Sequence, residues 1–130
     1  MVTYNWTLIE RLLHEVQNGA GEPFKPRAYA EEYAKAIADA GRAVGDVDKL
    51  KTLAEEYEAL LLKRGFIESR PEEEGGNGEN FILTARGASL LSMIDSSIPG
   101  NEHPLLELDK QADALDPMTF DVLAAKPQIA

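Results

Sequence analysis

The chain of 130 residues contains no cysteine. It therefore forms no disulfide bond and offers no thiolate ligand to a metal, a composition that fits a cytoplasmic protein. It also lacks an apolar run of roughly 20 residues, the length that crosses a bilayer. Residues 1–6 place no basic region before an apolar block, so we expect no signal peptide. These absences predict a cytoplasmic protein that does not enter a membrane.

Positive charge is scarce as well. The chain has 13 lysines and arginines against 23 aspartates and glutamates, which gives a formal net charge of −10 at pH 7. The excess is concentrated in the second half, because residues 65–130 hold four of the basic and twelve of the acidic residues. A chain of this sign repels phosphate backbones at long range, so DNA binding would require a local basic surface.

The first half of the chain predicts two amphipathic helices. Helix one is expected to begin near Asn5 or Thr7 and to stop at residues 18–21, where glycine accepts the left-handed conformation of a helix end. Its apolar residues share one face of the helix: Leu8, Ile9, Leu12, Leu13 and Val16. Helix two is expected to open at Pro26 and to run to about Ala40, with alanines that pack closely but bury little area.

The clearest amphipathic pattern lies between Asp46 and Arg64. Asp46 is predicted to cap the start of a third helix, and Gly65 is predicted to follow its end. The apolar residues in this segment are spaced by three and four, as one helical face requires: Val47, Leu50, Leu53, Ala54, Tyr57, Leu60 and Leu61.

A β-hairpin is predicted directly after this third helix. Residues 66–70 and Phe81–Leu83 favour strands, and the polar, glycine-rich residues 71–80 between them favour the hairpin tip. Thr84 is expected to end the second strand and to cap a fourth helix over residues 88–94. Gly87 lets the backbone of that helix approach the hairpin closely.

The remaining segment, residues 98–130, predicts a linker and a helical C-terminal arm. Residues 103–115 carry a leucine pattern that predicts one helix. Asp116 and Pro117 have the residue types of an N-cap and a first helical position, which predicts a second, shorter helix. Residues 124–130 are expected to fray.

The order of helix, hairpin and helix resembles the wing half of winged-helix proteins, a superfamily that includes many transcription regulators. The resemblance rests on residues 57–67, YEALLLKRGFI, and on residues 81–91, FILTARGASLL. With residues 6–13, WTLIERLL, these blocks also resemble small bacterial and phage proteins of the DUF2513 type.

The resemblance implies a mainly α fold with a small β-hairpin (α+β), that is, a winged helix-turn-helix with an extra helical C-terminal arm. The winged-helix domain would cover residues 3–97, with its wing at residues 66–83. The implied function is that of a non-catalytic recognition module of the transcription-regulator type.

In a winged-helix protein that binds DNA, the third helix enters the major groove and the wing contacts the adjacent backbone. Transferred to this chain, that geometry makes six basic residues the candidate DNA contacts: Arg42, Lys49, Lys51, Lys63, Arg64 and Arg70. The wing opposes this hypothesis, since its glutamates would lie beside phosphates: Glu68, Glu72, Glu73, Glu74 and Glu79.

Two classes of partner therefore remain open. One is DNA, read by helix three of a symmetric dimer. The other is a protein, bound by an acidic winged-helix module that recognises a regulator or mimics DNA. The two are distinguished by whether Lys49, Lys51, Lys63 and Arg64 form one exposed patch that is clear of the wing glutamates.

Nothing in the sequence predicts catalysis, a cofactor or a metal. Residues 75–78 lack the lysine and hydroxyl residue that follow the glycines of a phosphate-binding loop, so they are interpreted as a hairpin tip. The two histidines, His14 and His103, are far apart in sequence, and no metal tetrad is visible. Ser89 lacks the second glycine of a nucleophile elbow. We therefore expect no enzyme.

The arm predicts a homodimer. It carries many apolar residues after a Pro-Gly linker, and two-fold pairing of a self-complementary surface is the usual way to cover them. The candidate interface residues are Leu105, Leu106, Leu108, Leu115, Phe120 and Leu123, together with Val122. The alternative is that the arm packs over helices one and two of its own chain.

Overall fold

The protein is mainly helical with one small antiparallel sheet, as predicted. The structure, a computed structural model, describes residues 4–19, 23–43, 45–76, 78, 80–96 and 103–125. The elements are α1 (Trp6–Asn18), α2 (Pro26–Asp39), α3 (Val47–Lys63), β1 (Ile67–Ser69), β2 (Phe81–Leu83), α4 (Ala85–Asp95), α5 (His103–Asp109) and α6 (Pro117–Ala125). None of these helices has both the length and the apolar character to span a membrane.

Side-chain caps fix where the first and third helices begin. Asn5 precedes α1, and its side chain accepts a hydrogen bond from the backbone N–H of Leu8. Thr7 lies one residue inside the helix, so Asn5 is the cap. Asp46 precedes α3 and accepts hydrogen bonds from the N–H groups of Asp48 and Lys49. Both caps satisfy donors that a helix start leaves without an intrahelical partner.

The turn from α3 into the hairpin depends on two glycines. Gly65 has φ 78°, a left-handed conformation that favours glycine. It lets the Phe66 N–H donate to Leu61 O at 2.9 Å, which closes the helix end. A Cβ placed on Gly87 would lie 1.9 Å from Phe66 O, so only glycine permits this approach of α4 to the hairpin.

Thr84 joins the hairpin to α4. Its Oγ1 donates to Gly65 O at 2.6 Å and accepts from the Gly87 N–H at 3.1 Å. The two strands pair antiparallel, with Ile67 opposite Leu83 and Ser69 opposite Phe81. One hydroxyl therefore connects the end of α3, the end of β2 and the start of α4, which confirms the predicted role of Thr84.

The core is built around α1. Leu8, Ile9, Leu12 and Leu13 of this helix are fully buried, and α1 contacts α2, α3, α4 and β2. The other large contributors are Tyr57, Leu61, Phe66, Ile67, Leu90, Leu91, Met93 and Ile94. In contrast, α2 places only two residues in the buried class, Ala30 and Ala34. It packs mainly against α3.

The C-terminal arm belongs to the same core, which is the alternative to a dimer arm that the sequence left open. Leu108, Leu115 and Phe120 are 0% exposed and Leu123 is 5% exposed. The ring centroids of Phe120 and Phe66 lie 5.1 Å apart in an edge-to-face arrangement. These four predicted interface residues therefore lie inside their own chain, because its interior offers them the apolar contact that a second copy was expected to supply.

Two details of the arm also differ from expectation. Of the six predicted interface residues only Leu106 is exposed, while Leu105 is partly buried against the core. The first arm helix ends at Asp109 and not at Leu115. The Asp113 side chain accepts a hydrogen bond from the Leu115 N–H, a local turn that competes with helix. Residues 97–102, which include most of the predicted linker, and residues 126–130 lie outside the described residues.

Candidate recognition surface on the third helix and the hairpin

The third helix has one buried and one exposed face. Ala54, Tyr57 and Leu61 point into the core. The exposed residues of α3 combine acidic, basic and apolar side chains: Asp48, Lys49, Thr52, Glu55, Glu56, Ala59, Leu62 and Lys63. This face is available to a partner, but within the helix it carries more acidic than basic groups.

Two of the predicted DNA contacts are held by acidic residues of the same chain. Lys51 Nζ lies 3.3 Å from a Glu31 carboxylate oxygen on α2, and its side chain is only 22% exposed. Arg64 Nη1 donates to Asp113 Oδ2 at 2.9 Å, and its side chain is 26% exposed. Each of these cations thus already has an acidic partner within its own chain.

The predicted contacts Arg42, Lys49 and Lys63 are exposed, and none of them forms an ion pair with a described residue. They do not form one patch. Lys49 and Lys63 are 14 positions apart on the same helix, a separation of about 21 Å at the α-helical rise of about 1.5 Å per residue. Glu55 and Glu56 lie between them in the sequence of the helix.

The backbone of Arg70, the last predicted DNA contact, belongs to the hairpin. Its N–H donates to Asn80 O at 3.1 Å, which extends the strand pairing by one hydrogen bond. Its Nε is buried and has no hydrogen-bond partner among the described residues. Arg70 is half-buried, and its exposed neighbours at the hairpin tip are acidic.

The hairpin tip is a compact acidic turn. Glu72–Glu74 form one turn of 3-10 helix and are all exposed, as is Glu68. Gly75 follows with φ 90°. A Cβ on Gly76 would lie 1.9 Å from Arg70 O, so the tip folds tightly against the first strand. Asn77 and Glu79 lie outside the described residues.

A shallow open groove lies along the first half of α3. Its volume is about 490 Å³, and it is lined by Asp48, Lys49, Thr52, Leu53 and Glu56. Leu53 supplies an apolar wall, while the two carboxylates outnumber the single lysine. The groove therefore favours a partner that presents an apolar group flanked by positive charge.

Behind the end of α3, a polar cluster fixes the arm to the N-terminal segment. Tyr4 Oη donates to Asp113 Oδ1 at 2.6 Å, and Trp6 Nε1 donates to Asp109 Oδ1 at 2.7 Å. Burial, together with the hydrogen bond and repulsion from Asp113, raises the pKa of Tyr4 to about 12. Partial burial opposes ionisation of Asp113, but the hydrogen bonds from Tyr4 and Arg64 outweigh it and lower the pKa of that carboxyl.

Arg86 on α4 is a basic residue that sequence reasoning did not select. Its guanidinium donates to both carboxylate oxygens of Asp121 on α6, at 2.8 and 2.6 Å. It also donates to Arg64 O at 2.7 Å. Because Arg86 and Asp121 are 35 positions apart, no local spacing could have indicated the pair.

The histidine on the first helix also has a distant partner. His14 lies beside the apolar face of α1 and is half-exposed. Its Nε2 lies 3.3 Å from Asp95 Oδ1, at the last residue of α4. Glu10, one helical turn before His14, completes a group whose ligand atoms all lie within 4.8 Å of one another.

Comparison with known proteins identifies no relative: no family model, no curated protein and no solved structure matches the chain.

Proposed function

We propose that the protein is a non-catalytic recognition module of winged-helix type, like the modules of bacterial or phage transcription regulators, and that its partner is a protein rather than DNA. The observation that supports the proposal is the distribution of exposed and paired charges on α3. This helix is exposed along one face, but the basic residues that would contact DNA are paired or dispersed.

The winged-helix part of the proposal is supported by the junctions around the hairpin. Gly65 turns α3 into the first strand, Thr84 caps α4, and Gly87 brings α4 against Phe66. These are the residues on which the resemblance to winged-helix proteins rests. They hold α3 and the wing in a fixed relation, as a recognition surface requires.

The preference for a protein partner follows from charge. Most of the affinity of non-specific DNA binding comes from basic side chains that replace counterions at several adjacent phosphates. Here Lys51 and Arg64 are neutralised within the chain, and Lys49 and Lys63 stand at opposite ends of α3. The exposed glutamates of the wing would add repulsion.

The acidic groove suits a basic partner. Asp48 and Glu56 flank Leu53, so a partner with an apolar side chain between lysines or arginines would be complementary in both shape and charge. The nucleic-acid-binding face of a regulator has this chemistry. Binding there would occupy the regulator's DNA site.

The experiment has two parts, one with DNA and one with protein partners. In the first, a labelled random-sequence duplex is titrated with the protein at about 50 mM salt, where screening is weak. We expect no retained duplex. Retention that weakens steeply with salt and is reduced by Lys49→Ala would overturn the preference for protein and establish the DNA alternative.

In the second part, the immobilised wild type and two variants are used to capture partner proteins from cell extract. The double variant Asp48→Asn/Glu56→Gln removes two negative charges from the groove. The matched control Glu72→Gln/Glu73→Gln removes two from the wing. We expect a basic protein to be captured by the wild type and the wing control, and to be lost with the groove variant. Equal loss with both variants would show general charge attraction in place of recognition by α3.

A further inference from the structure

Three metal-ligating side chains meet where α1 packs against α4. Glu10 and His14 are four residues apart on α1 and so lie on one face of that helix. Asp95 is the last residue of α4. One ligand atom from each residue lies within 4.8 Å of the others, and His14 Nε2 and Asp95 Oδ1 are 3.3 Å apart.

These distances are close to those of a tetrahedral metal site. Zinc lies about 2.0–2.1 Å from nitrogen and oxygen ligands, which places two ligand atoms of a tetrahedron about 3.3–3.4 Å apart. The His14–Asp95 pair already has this separation. Glu10 is half-exposed, and its ligand oxygen lies within 4.8 Å of the other two ligand atoms.

The electrostatics of the group also favour a cation. Partial burial raises the pKa of Glu10, the adjacent Asp95 carboxyl raises it further, and His14 opposes the shift. The neighbouring Arg11 is directed away, to Glu15 and Glu32. Among the described residues, no lysine or arginine forms an ion pair with Glu10 or Asp95. Two carboxylates thus face each other with the imidazole of His14 beside them.

We propose that Glu10, His14 and Asp95 bind a divalent transition-metal ion of the zinc class. The ligand set is one imidazole nitrogen and two carboxylate oxygens, with the fourth position left to water. Imidazole suits zinc and its neighbours, whereas magnesium and calcium prefer sites made of oxygen alone. The choice of metal class therefore rests on His14.

The ion would act as a crosslink between helices. Glu10 and His14 belong to α1, the helix around which the core is built, and Asp95 ends α4, the last helix before the arm. A bound ion joins these two elements in the folded state only, so it stabilises that state by mass action. The inference is independent of the partner proposed for α3.

The test uses the full chain, freed of metal by a chelator that is then removed, and carrying no histidine tag. Zinc chloride is titrated by calorimetry at pH 7, and thermal melts are recorded with and without zinc. We expect one equivalent of zinc to bind with a saturable isotherm and to raise the midpoint of the melt. Magnesium at the same concentration should leave the melt unchanged.

Matched variants locate the ion. His14→Gln should weaken zinc binding by at least about tenfold, in line with the losses seen at metal sites when a supporting group is removed. His103→Gln, at the only other histidine, should leave affinity unchanged. Asp95→Asn tests the ligand from α4, and it provides an independent measurement if His14→Gln does not fold. Absence of saturable binding, or binding that survives both His14→Gln and Asp95→Asn, would overturn the proposal.

Discussion

The C-terminal arm buries larger apolar side chains in the core than α2 does, although the sequence predicted the arm as a separate segment and α2 as a part of the domain. The arm follows a Pro-Gly linker, yet it places Leu108, Leu115 and Phe120 at zero exposure in the common core. Helix α2 stands inside the predicted domain, yet only Ala30 and Ala34 are buried. Buried apolar area, and not position in the chain, therefore determines which segment is held more firmly.

The polar contacts of the arm are also better sheltered from solvent than those of α2. The arm is fixed by hydrogen bonds from Tyr4 and Trp6 to Asp113 and Asp109, which are partly sheltered from solvent. The ion pairs between α2 and its neighbours lie at the surface, where solvent and salt screen them: Arg11 with Glu32, Arg27 with Glu55, and Lys51 with Glu31.

The largest effect is expected from truncating Phe120. Phe120→Ala removes a fully buried ring that packs on Phe66, and should lower the free energy of unfolding by about 3–5 kcal/mol. The matched control is Val122→Ala on the same helix, where the side chain is 62% exposed and the expected change is within about 0.5 kcal/mol. Denaturant unfolding of both variants measures the difference. Equal effects would mean that the arm does not share the core.

The arm and the helix junctions differ in how far the sequence predicts them. Asp46, Gly65 and Thr84 were predicted correctly as cap and turn residues because each acts on backbone groups within a few positions. The burial of the arm was not predictable in this way. Leucines at 105, 106, 108 and 115 indicate an apolar face, but periodicity does not say what covers that face.

Long-range polar partners were missed for a related reason. Asp113 pairs with Tyr4, 109 positions away, and with Arg64, 49 positions away. No spacing rule connects these residues, so the sequence alone assigns Arg64 to DNA and Asp113 to a helix. The sequence predicts that α3 has an exposed face. The pairing of Lys51 and Arg64 with acidic residues depends on the tertiary fold and could not be predicted in this way.

The second prediction concerns the polar anchor of the arm. Tyr4→Phe removes the hydroxyl that donates to Asp113, a hydrogen bond to a charged group, and should cost about 1.5–3 kcal/mol of stability near pH 7. Urea unfolding measures this cost. The matched control is Tyr33→Phe on α2, a helix that lies outside this anchor, and its expected cost is smaller. An equal cost for the two variants would mean that the Tyr4 hydroxyl does not anchor the arm.

Tyr4 also predicts a pH dependence. Its pKa is about 12 in the folded state against an ordinary value of 10.0, so the folded protein retains a proton that the unfolded chain loses between these values. Stability should therefore fall as the pH rises from about 10 to about 12. Tyr4→Phe should reduce this fall. At acid pH the sign reverses: the lowered pKa of Asp113 gives a contribution that is lost as pH falls through the acid range.

A third prediction measures how weakly α2 depends on buried side chains. Ala34→Gly in the middle of α2 should cost about 1 kcal/mol, mostly through helix propensity, because little side-chain area is lost. The cost should thus be several times smaller than that of Phe120→Ala. Thermal and urea unfolding of the two variants provide the measurement. A cost for Ala34→Gly above that of Phe120→Ala would reverse the proposed order of attachment.

The smallest effect is expected from the ion pair between Arg27 on α2 and Glu55 on α3. Both side chains are about half-exposed, at 51% and 52%, so solvent screens their attraction. A double-mutant cycle with Arg27→Gln and Glu55→Gln should give a coupling of about 0.2–1 kcal/mol at low salt, and less at high salt. The Arg86–Asp121 pair, which joins α4 to the arm, supplies the comparison, since its bidentate geometry and less exposed arginine favour a stronger coupling. A larger coupling for Arg27–Glu55 would show that ion pairs compensate for the small buried area of α2. The arm and α2 would then differ in the kind of interaction that holds them and not in how firmly they are held.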